Sequence, residues 1–145
     1  MSTDVLELTA QPLTPEAFAA FGEVIDSRSS EYFMINSGRT RRHHDLAKVE
    51  VAGESPRVLI SIFVSQPVTV PLELTFLERH PLGSQAFMPL HEEQFLIVVA
   101  PPGDAIDPTE VRAFITDGRQ GVNYRIGTWH AIQSVLEREG EFLVV

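Results

Sequence analysis

Two polar clusters in this chain carry residue types able to do chemistry. The first, Glu78-Arg79-His80-Pro81-Leu82-Gly83-Ser84-Gln85, sets a carboxylate, an imidazole and a carboxamide ahead of a strongly apolar run, Phe95 to Ala100. In an extended chain alternate residues share a side, so Glu78 and His80 point together and Arg79 points away. Gln85 follows a Pro-Leu-Gly turn and can return to the same side. The second cluster, Asn123-Tyr124-Arg125-Ile126-Gly127-Thr128-Trp129-His130, offers another imidazole. Glu78, His80, Gln85 and His130 together make a nitrogen and oxygen donor set suited to a divalent metal ion, the one cofactor this chain implies. The same Glu78, His80 and His130 could instead carry protons in catalysis, because imidazole changes charge near neutral pH. A histidine at a strand end is more often structural; here the neighbouring carboxylate and carboxamide shift that balance.

Other residues suit a small anionic substrate. Arg42 is the first choice for a carboxylate partner, since a planar guanidinium matches it in two hydrogen bonds, and Arg79 is second. Because Arg79 lies off the Glu78–His80 side, a structural ion pair is its commoner reading. His44-Asp45 has the form of an oriented imidazole, against the plainer reading of a turn pair. Asn123 is a further candidate for binding substrate. Tyr124, an aromatic in a strand, is more often packing than catalysis, and Trp129 is expected to wall a pocket.

These residues need a scaffold, and the composition supplies one. A chain of 145 residues with 43% hydrophobic content fits one domain over residues 1–145; at that size roughly 70% of the unfolded surface can be buried. The sequence has no cysteine, which excludes disulfides, thiolate metal sites and cysteine catalysis. The net charge of −9 opposes nucleic-acid and anionic-membrane binding. The one basic run, Arg39 to His44, reads first as a solvated loop. No basic stretch precedes an apolar run at the start, so no signal peptide is expected, and a cytoplasmic setting is compatible.

Short β-branched and aromatic runs recur between Gly, Pro and Asp turn signals. Strands are expected near residues 5–8, 24–25, 32–36, 58–64, 68–77, 87–90, 95–100, 111–116, 122–126 and 142–145. A helix of about two turns starts at Thr14-Pro15-Glu16 and stops at Gly22, with Phe18 and Phe21 on one face. The pattern is that of an all-β sandwich or barrel with a short N-terminal helix.

The spacing Glu78-x-His80-x4-Gln85 and Arg125-x-Gly127-x-x-His130 resembles the two motifs of cupins, His-x-His-x(3,4)-Glu and Pro-x-Gly-x-x-His. A broader resemblance runs through Phe21-Gly22-Glu23-Val24-Ile25, Arg42-His43-His44-Asp45-Leu46-Ala47, Glu78 through Pro89, Gly118 through Tyr124 and Trp129-His130. On those residues the chain is identified as a member of the ureidoglycolate lyase family. That resemblance implies a cupin-like double-stranded β-helix barrel, a homodimer, and cleavage of ureidoglycolate to glyoxylate and urea in allantoin and purine catabolism. Two departures matter. The family pattern has histidine where this chain has Arg125 and Ala131, and it continues past the last strand where this sequence ends at Val145. If those groups serve the pocket, the alternatives are a module that binds an anionic ureide or 2-oxo acid without turnover, or an enzyme of another small acid.

Overall fold

Thr14 and Pro15 begin the helix as their chemistry requires. In the computed structural model, which describes residues 4–145, the Thr14 hydroxyl accepts from the Ala17 amide at 3.2 Å and Pro15 opens α1 (Pro15–Phe18). The helix is one turn rather than two. Its last donors close a tighter turn, with the Phe21 amide on the Phe18 carbonyl at 2.9 Å. This turn drives Phe18 and Phe21 into the interior, where both are buried.

Twelve strands surround that turn among the described residues: β1 (Gln11–Pro12), β2 (Gly22–Ile25), β3 (Phe33–Ile35), β4 (Thr40–Arg42), β5 (Ser61–Ser65), β6 (Gln85–Pro89), β7 (Phe95–Ala100), β8 (Arg112–Ile115), β9 (Gly121–Tyr124), β10 (Trp129–His130), β11 (Ser134–Val135) and β12 (Gly140–Val144). One five-stranded sheet runs β1-β8-β7-β10, with β11 also on β7; a second runs β2-β9-β6-β12-β5; β3 and β4 form a separate hairpin. All pairings are antiparallel except β1 with β8. The inward residues of both sheets, among them Phe95, Ile97, Val99 and Phe114 on one and Phe87, Val122, Tyr124, Phe142 and Val144 on the other, form a single buried cluster. Alternation in β7 and β12 follows the period of two that a half-covered strand requires. This is the all-β, cupin-like architecture expected from the sequence.

Two expected strands are absent. Val5 to Leu8 alternates correctly but lies exposed with no neighbour to pair with; the N-terminal pairing falls instead at Gln11–Pro12. The segment 68–77 forms no strand, because Pro67 and Pro71 remove ladder donors and Val70 and Phe76 stay exposed. It meets the sheet at its two ends, where the Val68 amide donates to the Val135 carbonyl at 2.8 Å and where its continuation, Glu78, pairs.

The contact between β2 and β9 is close enough to exclude any side chain at Gly22. A Cβ there would stand 1.8 Å from the Asn123 carbonyl oxygen. Gly22→Ala should therefore cost about 3 kcal/mol, the upper range for overpacking, and lower the urea midpoint accordingly. A midpoint equal to that of the unsubstituted protein would contradict the tight β2–β9 approach.

Candidate active site

His130 is the fixed point of the site. On one side of β10 it pairs with Val99 of β7; on the other it faces Glu78 in an isolated bridge. Glu78 and His130 exchange both backbone hydrogen bonds, the Glu78 amide donating to the His130 carbonyl at 2.9 Å and the reverse at 2.8 Å. Directly opposed residues project to the same side, so the two side chains meet. The turn before β10 is set by glycine. The Thr128 amide donates to the Arg125 carbonyl at 3.0 Å, and Gly127 takes φ +78°, the left-handed value required at the third position of a type II turn. Gly127 then donates its own amide to the His80 carbonyl at 3.1 Å, which ties the first cluster to the second.

The imidazole of His130 is held on two further sides. It stacks on Tyr124 at 4.4 Å between centroids and 11° between planes. Its Nδ1 lies 3.2 Å from the Thr128 carbonyl oxygen, which can only accept, so the proton resides on Nδ1 and Nε2 keeps its lone pair. That Nε2 is buried and has no hydrogen-bond partner among the described residues. It faces the Glu78 carboxylate at 3.7 Å, and the His80 ring lies 5.2 Å from the His130 ring. One ligand atom from each of Glu78, His80 and His130 falls within 4.8 Å of the other two. The His130 residue is 2% exposed, and burial pushes its pKa down; His80 adds to that effect, while the Thr128 carbonyl and Glu78 oppose it.

Of the other expected site residues, the structure brings Gln85 and Tyr124 to this side. Gln85 pairs with Tyr124 across β6 and β9 and so shares its inward side. Tyr124 is the platform under the imidazole; burial raises its pKa, so its hydroxyl keeps its proton. Arg79 and Trp129 point to the other side. Arg79 donates to the Gly103 carbonyl at 2.7 Å and lies over the Trp129 ring at 4.9 Å, and the indole N–H donates to the same carbonyl at 3.1 Å. They fasten the 103–104 loop rather than wall the pocket. Asn123, one residue from Tyr124, faces away by strand alternation; its amide nitrogen donates to the Glu23 carboxylate at 2.9 Å and to the Lys48 carbonyl at 3.2 Å. Arg42 lies over the exposed Phe33 ring at 5.9 Å, His44 packs against the same ring, and Asp45 pairs with Lys48 at 3.0 Å. These three stand at the β3–β4 hairpin, not beside His130.

Glu78 and His130 also line a cavity of about 360 Å³, together with Phe63, Phe87 and Gln133. Sequence reasoning passed over Thr128, whose carbonyl sets the histidine tautomer, because that role belongs to backbone and leaves no mark in residue type. It also passed over Gln133. A polar side chain between Ile132 and Ser134-Val135 was a usable signal there.

Two facing sheets with a buried imidazole on one strand, met by a carboxylate and a second imidazole, place the protein among cupin-like β-proteins. Sequence similarity narrows this further. The model of the family described as ureidoglycolate lyase matches residues 5–145, and the chain belongs to that family. It is 56% identical over 138 residues to a ureidoglycolate lyase of Stutzerimonas stutzeri (strain A1501), covering 95% of this chain and 81% of that one. It is 54% identical to the ureidoglycolate lyase of Azotobacter vinelandii (strain DJ), covering 95% of this chain and 83% of that one. It is likewise 55% identical to the ureidoglycolate lyase of Pseudomonas aeruginosa (strain UCBPP-PA14), covering 95% of this chain and 82% of that one.

The buried neutral histidine has a measurable consequence. In the unfolded chain an imidazole binds a proton near pH 6.5, whereas His130 in the folded protein does so only at lower pH. The unfolded state thus holds more protons in that interval, and stability falls as pH drops below about 6.5, by at most about 1.4 kcal/mol per pH unit from this group. Urea denaturation of chelator-treated protein between pH 7.5 and 5.5 should show this slope, and His130→Phe should flatten it. An equal slope in both proteins would refute the assignment.

Proposed function

We propose that the protein is a ureidoglycolate lyase that cleaves ureidoglycolate to glyoxylate and urea in purine catabolism. The observation that carries this reading is the buried, unpartnered Nε2 of His130 facing Glu78 and His80, in a chain belonging to that family. The reaction reverses the addition of urea to an aldehyde. The substrate hydroxyl loses a proton, its oxygen becomes the aldehyde carbonyl as the C–N bond breaks, and the departing urea nitrogen gains a proton. His130 Nε2, held with its lone pair inward, takes the hydroxyl proton. The imidazolium so formed lies 3.7 Å from the Glu78 carboxylate, which favours it. The exposed His80 is the group that returns a proton to the urea nitrogen.

The same donors fit a divalent ion, because a buried imidazole lone pair beside a carboxylate and a second imidazole is an incomplete coordination set. Glu78, His80 and His130 would hold it, with Gln85 on the same side. Such an ion, when bound, supplies Lewis acidity that lowers the pKa of the substrate hydroxyl.

We further propose that the protein works as a cytoplasmic homodimer. Strand β5 is the edge of its sheet and leaves Ile62 59% and Val64 54% exposed, with Ile60 beside them at 76%. Tyr32, Phe33 and Met34 of the hairpin region are exposed as well. Apolar edges of this kind are normally covered by a partner. A role for Arg42 in holding the substrate carboxylate, and for His44 and Asp45 as further substrate contacts, rests on that association, since within one protomer they stand at the hairpin. Sedimentation should give a mass of two chains, and Ile62→Lys on the open edge should reduce it to one; a monomer at micromolar concentration would end this part of the proposal.

Purified protein should release glyoxylate from ureidoglycolate, followed by coupled reduction, and His130→Ala should lower kcat/KM by about 100-fold or more. Loss of activity on chelation, restored by a divalent ion, would make His130 a ligand rather than the base. Thermal stabilisation by glyoxylate without turnover would instead mark a binding module.

A further inference from the structure

The cavity beside His130 holds a second orphaned group. Among the described residues Gln133 Nε2 is buried and donates to nothing, as His130 Nε2 accepts from nothing, and both residues line the same 360 Å³ chamber. An amide donor buried without a partner is costly, and a ligand acceptor removes that cost. The rest of the lining states what kind of acceptor fits. Among the described residues no lysine or arginine lines the chamber, and its one charged residue is Glu78, which repels a carboxylate. The remaining polar groups, Ser65, Gln66 and Gln133, are neutral, and the amide nitrogen of Gln66 is already engaged by Glu139 at 2.6 Å. Phe63 and Phe87, in edge contact at 5.4 Å, supply flat apolar walls. A planar, neutral group with a carbonyl acceptor and N–H donors matches this chamber; an anion does not.

We propose that Gln133 is the ureido-binding residue: its Nε2 donates to the ureido carbonyl of the substrate and seats the urea end in this chamber. The Glu78 carboxylate accepts from the ureido N–H groups, and the substrate carboxylate lies outside. The buried Ala131 lines the same chamber and, with only a methyl side chain, leaves room in it. This assignment rests on the lyase reading for its substrate, but the chamber's preference for a ureido group can be tested without turnover.

The test compares two non-reacting acids, oxalurate, which carries the ureido group, and oxalate, which lacks it. Gln133→Leu keeps the bulk and removes the donor. It should raise KM for ureidoglycolate about five- to tenfold with kcat little changed, weaken oxalurate inhibition by the same factor, and leave oxalate inhibition unaltered. Its Tm should equal or exceed that of the unsubstituted protein, since an orphaned donor is gone. Should Gln133→Leu fail to fold, Gln133→Glu, which replaces the donor by an anionic acceptor, carries the same comparison. Unchanged oxalurate binding, or equal weakening of oxalurate and oxalate, overturns the assignment. If the unsubstituted protein makes no glyoxylate, the lyase reading fails separately, and the oxalurate-to-oxalate ratio read by thermal shift still decides the role of Gln133.

Discussion

The site depends on one reciprocal pair of backbone hydrogen bonds, between Glu78 and His130. β10 is only two residues long, so its register is fixed by what it meets on either side. A slip of one residue would turn His130 outward and bring Trp129 in, because strand side chains alternate. The bonds to Val99's strand and to Glu78 prevent that slip from both edges. The Gly127 turn adds a third restraint by holding the His80 carbonyl. Two stretches far apart in the chain thus present their functional groups together.

Packing then decides the chemical state of what has been gathered. Phe18 touches Phe21, Phe114 and Tyr124; Tyr124 touches Phe87, and Phe87 touches Phe63. Each such aromatic contact contributes about 0.5–1.5 kcal/mol beyond area burial. The ladder runs from α1 to the cavity and carries His130 stacked on Tyr124. It dries the imidazole enough to keep it neutral, while the Thr128 carbonyl decides which nitrogen is bare. The short helix matters to the site through this ladder, not through any polar group of its own.

Much of this was legible in the sequence. The Thr-Pro-Glu start of α1 and the strands at β7 and β12 followed from residue type, and the shared side of Glu78 and His80 from spacing, while His130 was expected beside them as a fourth ligand and from the motif resemblance. The failures have definite causes. Val5 to Leu8 alternates like a strand, but pairing needs a neighbour, and alternation says nothing of one. Pro71 removes a donor from within the apolar run 68–77, and Pro67 removes another just ahead of it. Strands β10 and β11 were missed because two residues carry no period. Asn123 and Trp129 have side chains suited to substrate, yet strand parity sends them to the opposite side from Tyr124 and His130. Parity alone was enough to find that.

Glu50 adds a second tie between the two motif arms, which already meet where β6 pairs with β9. Its carboxylate accepts from the Ile126 amide at 3.2 Å, its own amide donates to the Ser84 hydroxyl at 2.8 Å, and its carbonyl accepts from the Ser84 amide at 3.0 Å. Ser84 precedes Gln85, and Ile126 precedes Gly127, so one residue rivets both motif arms to a common strut. The neighbouring Lys48 carbonyl is bolted to β9 by Asn123. The segment 48–50, which contributes no reactive group, is therefore a brace across the two arms, and loosening it would unsettle both together.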